Sequence, residues 1–195
     1  AKLCVQVGDH VERGDPVAHA DGFVSVPIHA SAAGVVTAVE WWPHPDGSMA
    51  MTVRLRVDKY APQVPRPRLV PHWEGLTPDE VVRAVQDAGV VGLGGAAFPT
   101  HVKLRPPPGT AVHTLIINGA ECEPYLTSDF RLMVSRPLEV VEGALAMARI
   151  LGVERVLIGI EADKPEAARL LEAAVAQNAA GGPVVMVVPC RVRYP

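Results

Sequence analysis

Paired cysteines are missing from this chain. Cys4, Cys122 and Cys190 stand far apart and form no Cys-x-x-Cys, which argues against an iron-sulfur cluster, a zinc site or a redox dithiol within these residues. Three isolated thiols suit a reducing compartment. There is no surplus of positive charge: the formal net charge is −3 and the basic residues are scattered, so nucleic acid is not an expected partner. Aromatic residues make up only 5% of a chain that is 49% hydrophobic, so the apolar material is mostly Ala, Val and Leu, suited to close-packed helices on a small sheet. A long apolar run is also lacking. The best stretch, Leu138 to Ile160, is broken by Glu139, Glu142, Arg149, Glu154 and Arg155, and no transmembrane segment is expected. The chain starts at Ala1 with neither an initiator Met nor a signal core, and is expected to be cut at both ends.

Residues 1–60 consist of short Val-rich pieces, Val5–Val7, Val17–Ala20, Phe23–Val26, Val35–Glu40 and Met51–Val57, separated by Gly-Asp and Asp-Gly turns. Alternation at this spacing predicts a small all-β domain. The pattern from Val7 to Ala18, followed by Ala30 to Val36, resembles the barrel-sandwich hybrid of biotinyl and lipoyl carriers. Such a carrier needs a lysine at its hairpin tip, and no lysine lies between Lys2 and Lys59. The domain is therefore expected to be an unmodified scaffold. Residues 61–71 hold four prolines in eleven positions and are predicted to be the domain linker.

Residues 72–195 are predicted to form the second domain. Thr77-Pro78-Asp79-Glu80 supplies an N-cap, a proline at the first helical position and a glutamate at the third, predicting a helix that ends at Gly89. From Thr114 strands and helices alternate: Thr114–Asn118, a helix within Pro137–Leu151, Val156–Ile160, a helix over Pro165–Asn178, and Val184–Val188. The strand pieces are continuously apolar, as when helices cover both faces of a parallel sheet. The predicted class is α/β, α+β overall: a small all-β hybrid domain, then an open, mostly parallel three-layer α/β domain.

Two segments carry chemistry. In Gly92 to Lys103, consecutive small residues including Gly94, Gly95 and Ala96 let backbone amides approach an anion, and Lys103 can return to add a full charge. The stretch matches no phosphate-loop consensus, and taken alone it fits an anion cradle and a purely structural loop equally well. In Ile116 to Tyr125, the polar residues Asn118, Glu121 and Glu123 follow a buried strand, where open parallel sheets bind ligands. Solvated glutamates before a proline turn are the plainer alternative. Cys122, between two carboxylates, is expected to pack rather than to act as a nucleophile.

Together the segments, Gly-Leu-Gly-Gly-Ala-Ala-Phe-Pro-Thr-His-Val-Lys and Ile-Ile-Asn-Gly-Ala-Glu-Cys-Glu-Pro-Tyr, resemble the signature of the RnfC family of the Rnf electron transport complex. That family is related to the NADH-binding flavoprotein subunit of respiratory complex I. The resemblance implies FMN and NADH as cofactors. Gly94, Gly95 and Ala96 would approach the FMN and Lys103 its phosphate, while Asn118 and Glu121 would sit by the isoalloxazine. Phe98 and Glu123 would meet the dinucleotide. Leu93, Ala97 and Ala120 depart from the complex I pattern, which has Arg, Gly and Asp there. No residue of this stretch is assigned as a catalytic acid, base or metal ligand.

The resemblance further implies a peripheral oxidoreductase subunit on the cytoplasmic face of the bacterial inner membrane, passing electrons between NADH and a ferredoxin-like partner beside the other Rnf subunits. Two 4Fe-4S clusters are expected only in a C-terminal part beyond residue 195, and the isolated chain is expected to be inactive. Two other readings remain open: a docking subunit of the same complex that has lost flavin, or the related subunit of the sodium-translocating NADH:quinone reductase.

Overall fold

The computed structural model describes residues 1–64, 73–93, 96–121, 123, 125–178 and 181–192. Contacts divide the chain into two units: Ala1–His72 with Val82–Lys103, and Trp73–Val81 with Leu104–Pro195.

Among its described residues the first unit holds six strands: β1 (Lys2–Leu3), β2 (His10–Val11), β3 (Pro16–His19), β4 (Ile28–His29), β5 (Gly34–Pro43) and β6 (Met49–Val57). They form two three-stranded antiparallel sheets, ordered β1-β3-β4 and β2-β5-β6. Val11, Val17, Ala30 and Val36 make the core, with Val5, Val39, Val53 and Leu55 packed against it. Gly34 is required where β5 meets β6, because a Cβ there would lie 2.3 Å from the Arg56 carbonyl oxygen.

Two expected strands are loops instead. Around Val5–Val7 the backbone turns, with the Gln6 amide donating to Asp9 Oδ2 at 2.9 Å and the Asp9 amide to the Gln6 carbonyl at 3.2 Å. In Phe23–Val26 the carbonyls of Phe23 and Ser25 accept from side chains rather than from a neighbouring strand. Local alternation cannot reveal this, since partners 61 and 78 positions away supply the bonds. Of the predicted linker, residues 65–71 lie outside the described residues, and Ala61–Val64 form no helix or strand.

Helix α1 (Pro78–Asp87) starts as its sequence dictates. The Thr77 amide donates to Glu80 Oε2 at 2.8 Å and the Glu80 amide to Thr77 Oγ1 at 3.4 Å, a reciprocal capping box. The chain leaves the helix at Gly89, whose φ of +71° only glycine adopts cheaply. A short helix, α2 (Thr100–Lys103), follows the glycine-rich segment.

In the second unit β7 (Thr114–Asn118), β8 (Arg155–Glu161) and β9 (Val184–Cys190) form a parallel sheet in that order. Between them lie α3 (Ser128–Ser135), α4 (Pro137–Leu151) and α5 (Pro165–Gln177). Both crossovers step across the sheet in the same direction. With right-handed connections this puts their helices on one face, where α4 packs on β7 and β8 and α5 packs on β9 and on α3 and α4.

Val156, Ile158 and Ile160 of β8 are fully buried against Val141, Ala144, Ala148, Ala167 and Leu171. Each such side chain of β8 contributes about 1.5–3 kcal/mol by leaving water. On the opposite face Ile116, Val184 and Met186 are exposed. The described helices thus cover one face of the sheet, and the continuous apolarity of the strands does not by itself report coverage of the other.

Candidate functional site

The glycine-rich segment belongs to the first unit. Its stems are joined by backbone bonds: the Gly92 amide donates to the Phe98 carbonyl at 2.9 Å, the Thr100 amide to the Val90 carbonyl at 3.0 Å, and Val91 bridges Pro99. Ala97 sits at φ 48°, a left-handed conformation at the position where the complex I pattern has glycine. Ala96 and Phe98 are exposed, and so is Leu93. Lys103 folds back over the stem, since a Cβ added to Gly92 would lie 3.2 Å from its Nζ. A cation on a flexible stem, beside backbone that carries no Cβ, is a donor set suited to an anion. Gly94 and Gly95 lie outside the described residues.

The second segment belongs to the second unit and starts where β7 ends. Asn118 Oδ1 accepts the Ala120 amide at 3.1 Å, closing an Asx-type turn. Gly119 permits close passage: its amide donates to the Gly159 carbonyl at 2.8 Å, and a Cβ there would meet Met133 Sδ at 3.0 Å. Glu121 is half-buried and turned to α3. Its Oε1 accepts the Asp129 amide at 2.9 Å and its Oε2 the Phe130 amide at 3.1 Å. Thr127, the residue at the N-cap position, makes no side-chain cap, so Glu121 supplies the cap from farther upstream.

Glu123 is exposed at the same strand end. Cys122 lies outside the described residues. Within the first unit the structure brings Gly92, Phe98 and Lys103 together, and within the second it sets Asn118, Glu121 and Glu123 along the segment that follows β7.

Two residues of these segments are not found by sequence reasoning. His101 is fully buried, with Nε2 2.7 Å from the Phe23 carbonyl. Its only sequence signal is a histidine among apolar neighbours in the glycine-rich motif. Tyr125 is fully exposed at φ 67°, beside Glu123 at the strand end. A tyrosine held in a left-handed conformation is unusual and clusters with functional sites; nothing short of the backbone reveals it.

A cleft of about 610 Å³, lined by Trp73, Leu145, Arg149, Val153 and Pro183 among others, lies at the opposite end of the sheet, where β8 and β9 begin. Arg149 there donates to the Leu76 carbonyl at 2.9 Å. It is remote from the C-terminal strand ends at which open α/β sheets place ligands, and volume alone does not make it the site. Among the described residues no group of His, Cys, Asp and Glu could hold a metal ion.

Comparison with known proteins converges on one family. Residues 85–195 match the Nuo51 FMN-binding domain, and residues 1–60 match the RnfC barrel sandwich hybrid domain. The chain is 39% identical over 194 residues to the C subunit of the proton-translocating ferredoxin:NAD(+) oxidoreductase complex of Clostridium ljungdahlii, covering 98% of this chain and 41% of that protein. It is 43% identical over 174 residues to the Na(+)-translocating counterpart of Acetobacterium woodii, covering 89% and 39%. To the C subunit of the ion-translocating oxidoreductase complex of Rhodobacter capsulatus it is 42% identical over 200 residues, covering 100% and 37%.

Among solved structures, an NAD+-reducing [NiFe]-hydrogenase in the H2-reduced state aligns with a TM-score of 0.53 and 29% identity over 57% of this chain and 21% of that one. The chain thus spans about two fifths of the length of these curated relatives. With the hybrid domain matching at one end and the flavin-domain model matching more than half of the sequence, the chain belongs to the RnfC family, built on the Nuo51 FMN-binding domain.

Proposed function

We propose that this chain is the FMN- and NADH-binding part of a peripheral subunit that exchanges electrons between NADH and ferredoxin in an ion-translocating membrane complex. The carrying observation is the Gly92–Lys103 pair, in which the lysine amine lies over backbone that has no side chain of its own. A phosphate monoester fits there through the ammonium, which supplies a full charge and a donor, since the Gly92 amide itself is taken by the Phe98 carbonyl. Among the described residues no helix is long and apolar enough to cross a membrane, which is compatible with a peripheral position on the cytoplasmic face.

Bound FMN would supply hydride-accepting and one-electron redox chemistry, with two 4Fe-4S clusters outside this stretch of sequence as the onward centres in this reading. The chain's own residues do positioning and electrostatics. Lys103 holds the phosphate end, and the family resemblance assigns Gly94, Gly95 and Ala96 to the same cofactor. Phe98 offers an exposed ring for stacking on the dinucleotide. Glu123, at the rim of the strand end, accepts hydrogen bonds from NADH. Asn118 presents its amide group while its oxygen holds the turn. Glu121 contributes through the shape of the strand end that it fixes, since both its oxygens are engaged by α3. The hybrid domain acts without a covalent cofactor, because no lysine lies between Lys2 and Lys59.

Partners in this reading are the other subunits of the complex and a ferredoxin-like protein. The commitment of the Asn118 and Glu121 oxygens to the local backbone favours one competing reading, a docking subunit that has lost flavin. Flavin stoichiometry and the visible spectrum of the full-length subunit separate the two: about one FMN per chain supports the proposal, and a colourless, flavin-free protein overturns it.

A further inference from the structure

We infer that the hybrid domain is the base on which the glycine-rich segment is aligned, with His101 as the positioning residue; the inference rests on the proposed FMN site. Both stems of the segment stand on one stretch of that domain, residues 23–29. On the entering stem Gln86 Nε2 donates to the Ser25 carbonyl at 3.0 Å. Gly89 there lies so close that a Cβ would come within 3.1 Å of the His29 ring and the Pro27 carbonyl oxygen. On the leaving stem His101 Nε2 lies 2.7 Å from the Phe23 carbonyl, and its ring meets the Phe23 ring edge-on at a centroid distance of 5.5 Å. All of these residues belong to one unit.

The chemistry of His101 favours a positioning role over simple filling of the core. A carbonyl only accepts, so Nε2 carries a hydrogen, and Nδ1 must find a partner of its own. That nitrogen is buried and has no hydrogen-bond partner among the described residues. An unsatisfied buried polar atom costs free energy that an apolar side chain of similar size would avoid. What the histidine offers in exchange is the directed bond to Phe23.

Its direction matters for Lys103. Two residues apart on α2 are about 200° around the helix axis, nearly opposite faces, so turning His101 inward turns Lys103 outward. Lys103 then lies over Gly92. The strut therefore fixes where the cation stands.

The test uses the full-length subunit with three variants, His101→Leu, His101→Gln and Gln86→Met. Amide hydrogen exchange over residues 96–103 is followed in the FMN-free protein, and FMN affinity is measured by fluorescence titration. His101→Leu is expected to speed exchange in that stretch and to weaken FMN about tenfold, the scale of one hydrogen bond. His101→Gln, which keeps a donor at the position of Nε2, should stay within about threefold of the parent on the same scale. That rescue is what mere loss of packing would not produce.

Parent-like exchange and affinity in His101→Leu, or equal damage in His101→Gln, overturns the inference. Should His101→Leu fail to fold by circular dichroism, Gln86→Met decides at the other stem: faster exchange over residues 82–93 with weaker FMN supports the base, and parent-like behaviour overturns it. If the parent itself binds no FMN, the proposed function falls, while the exchange arm still decides the strut.

Discussion

The carboxylate of Glu121 receives the backbone amide of Asp129 at 2.9 Å, and through its second oxygen the amide of Phe130 at 3.1 Å. A side chain at the end of a parallel strand thereby closes the first turn of the following helix. This ties the shape of the strand end to the stability of α3, because the amides there have no partner within their own helix.

Glu121→Ala is accordingly expected to destabilise the FMN-free protein by about 1–2 kcal/mol, the usual cost of a lost cap. Glu121→Gln keeps one acceptor and should fall between. Urea denaturation of the apo-protein measures both. An alanine variant as stable as the parent would return Glu121 to a role at the cofactor alone.

Lys103→Ala is expected to weaken FMN by roughly 1–3 kcal/mol, the range for a charge-assisted hydrogen bond to phosphate. Lys103→Arg should retain part of the affinity, as it keeps the charge and changes its geometry. Titration of the full-length variants with FMN, and separately with riboflavin, makes the assignment specific. A loss confined to FMN marks the phosphate. Unchanged FMN affinity would place Lys103 among ordinary solvated lysines.

Glu123→Gln preserves size and most hydrogen bonding, and is expected to change the dependence of flavin reduction on NADH concentration while FMN stays bound. Hydride transfer moves no proton through this side chain, so its contribution is positioning. Stopped-flow reduction of the full-length subunit reads the difference. Loss of FMN, or the parent's concentration dependence, would show that Glu123 has another role.

The turn between β5 and β6 carries its own pH signature. The Ser48 hydroxyl and amide and the neighbouring His44 together hold the Asp46 carboxyl at about 2, below its ordinary value of 3.8. A depressed folded-state value means that the charged form favours the folded turn. That contribution is present above about 4 and is lost as pH falls from there towards 2. Carboxyl-carbon NMR should show Asp46 titrating near 2, and Ser48→Ala should bring the midpoint up. A parent midpoint near 3.8 would mean that the turn bonds do not persist in solution.

Much of this protein is legible in its residues. Thr77 and Glu80 write the start of α1, and Pro137 and Pro165 open α4 and α5, because capping and proline stereochemistry act over three or four residues. Thr114–Asn118 coincides with β7 for a similar reason: a short run of β-branched and apolar residues between turns has few other uses. The two motifs carry family membership, and the family comparisons bear that out.

Other features depend on distant partners. Phe23–Val26 has strand-like residues, yet its carbonyls are claimed by Gln86 and His101 across 61 and 78 positions, so it is a loop. Helix α3 has Thr127 at its N-cap position and Asp129 in its first turn, yet the bonds that close that turn come from Glu121, eight and nine positions before the amides it receives. The apolar strands predict a buried sheet but cannot say from which side, which follows from the direction in which successive crossovers step. Local elements, the missing carrier lysine and the chemistry available to the two motifs can all be read from residue order, since each is a property of neighbours along the chain. That Glu121 caps α3, that Lys103 lies over Gly92 and that the buried His101 stands on Phe23 needed the folded chain, because each joins groups that only folding brings within reach of one another.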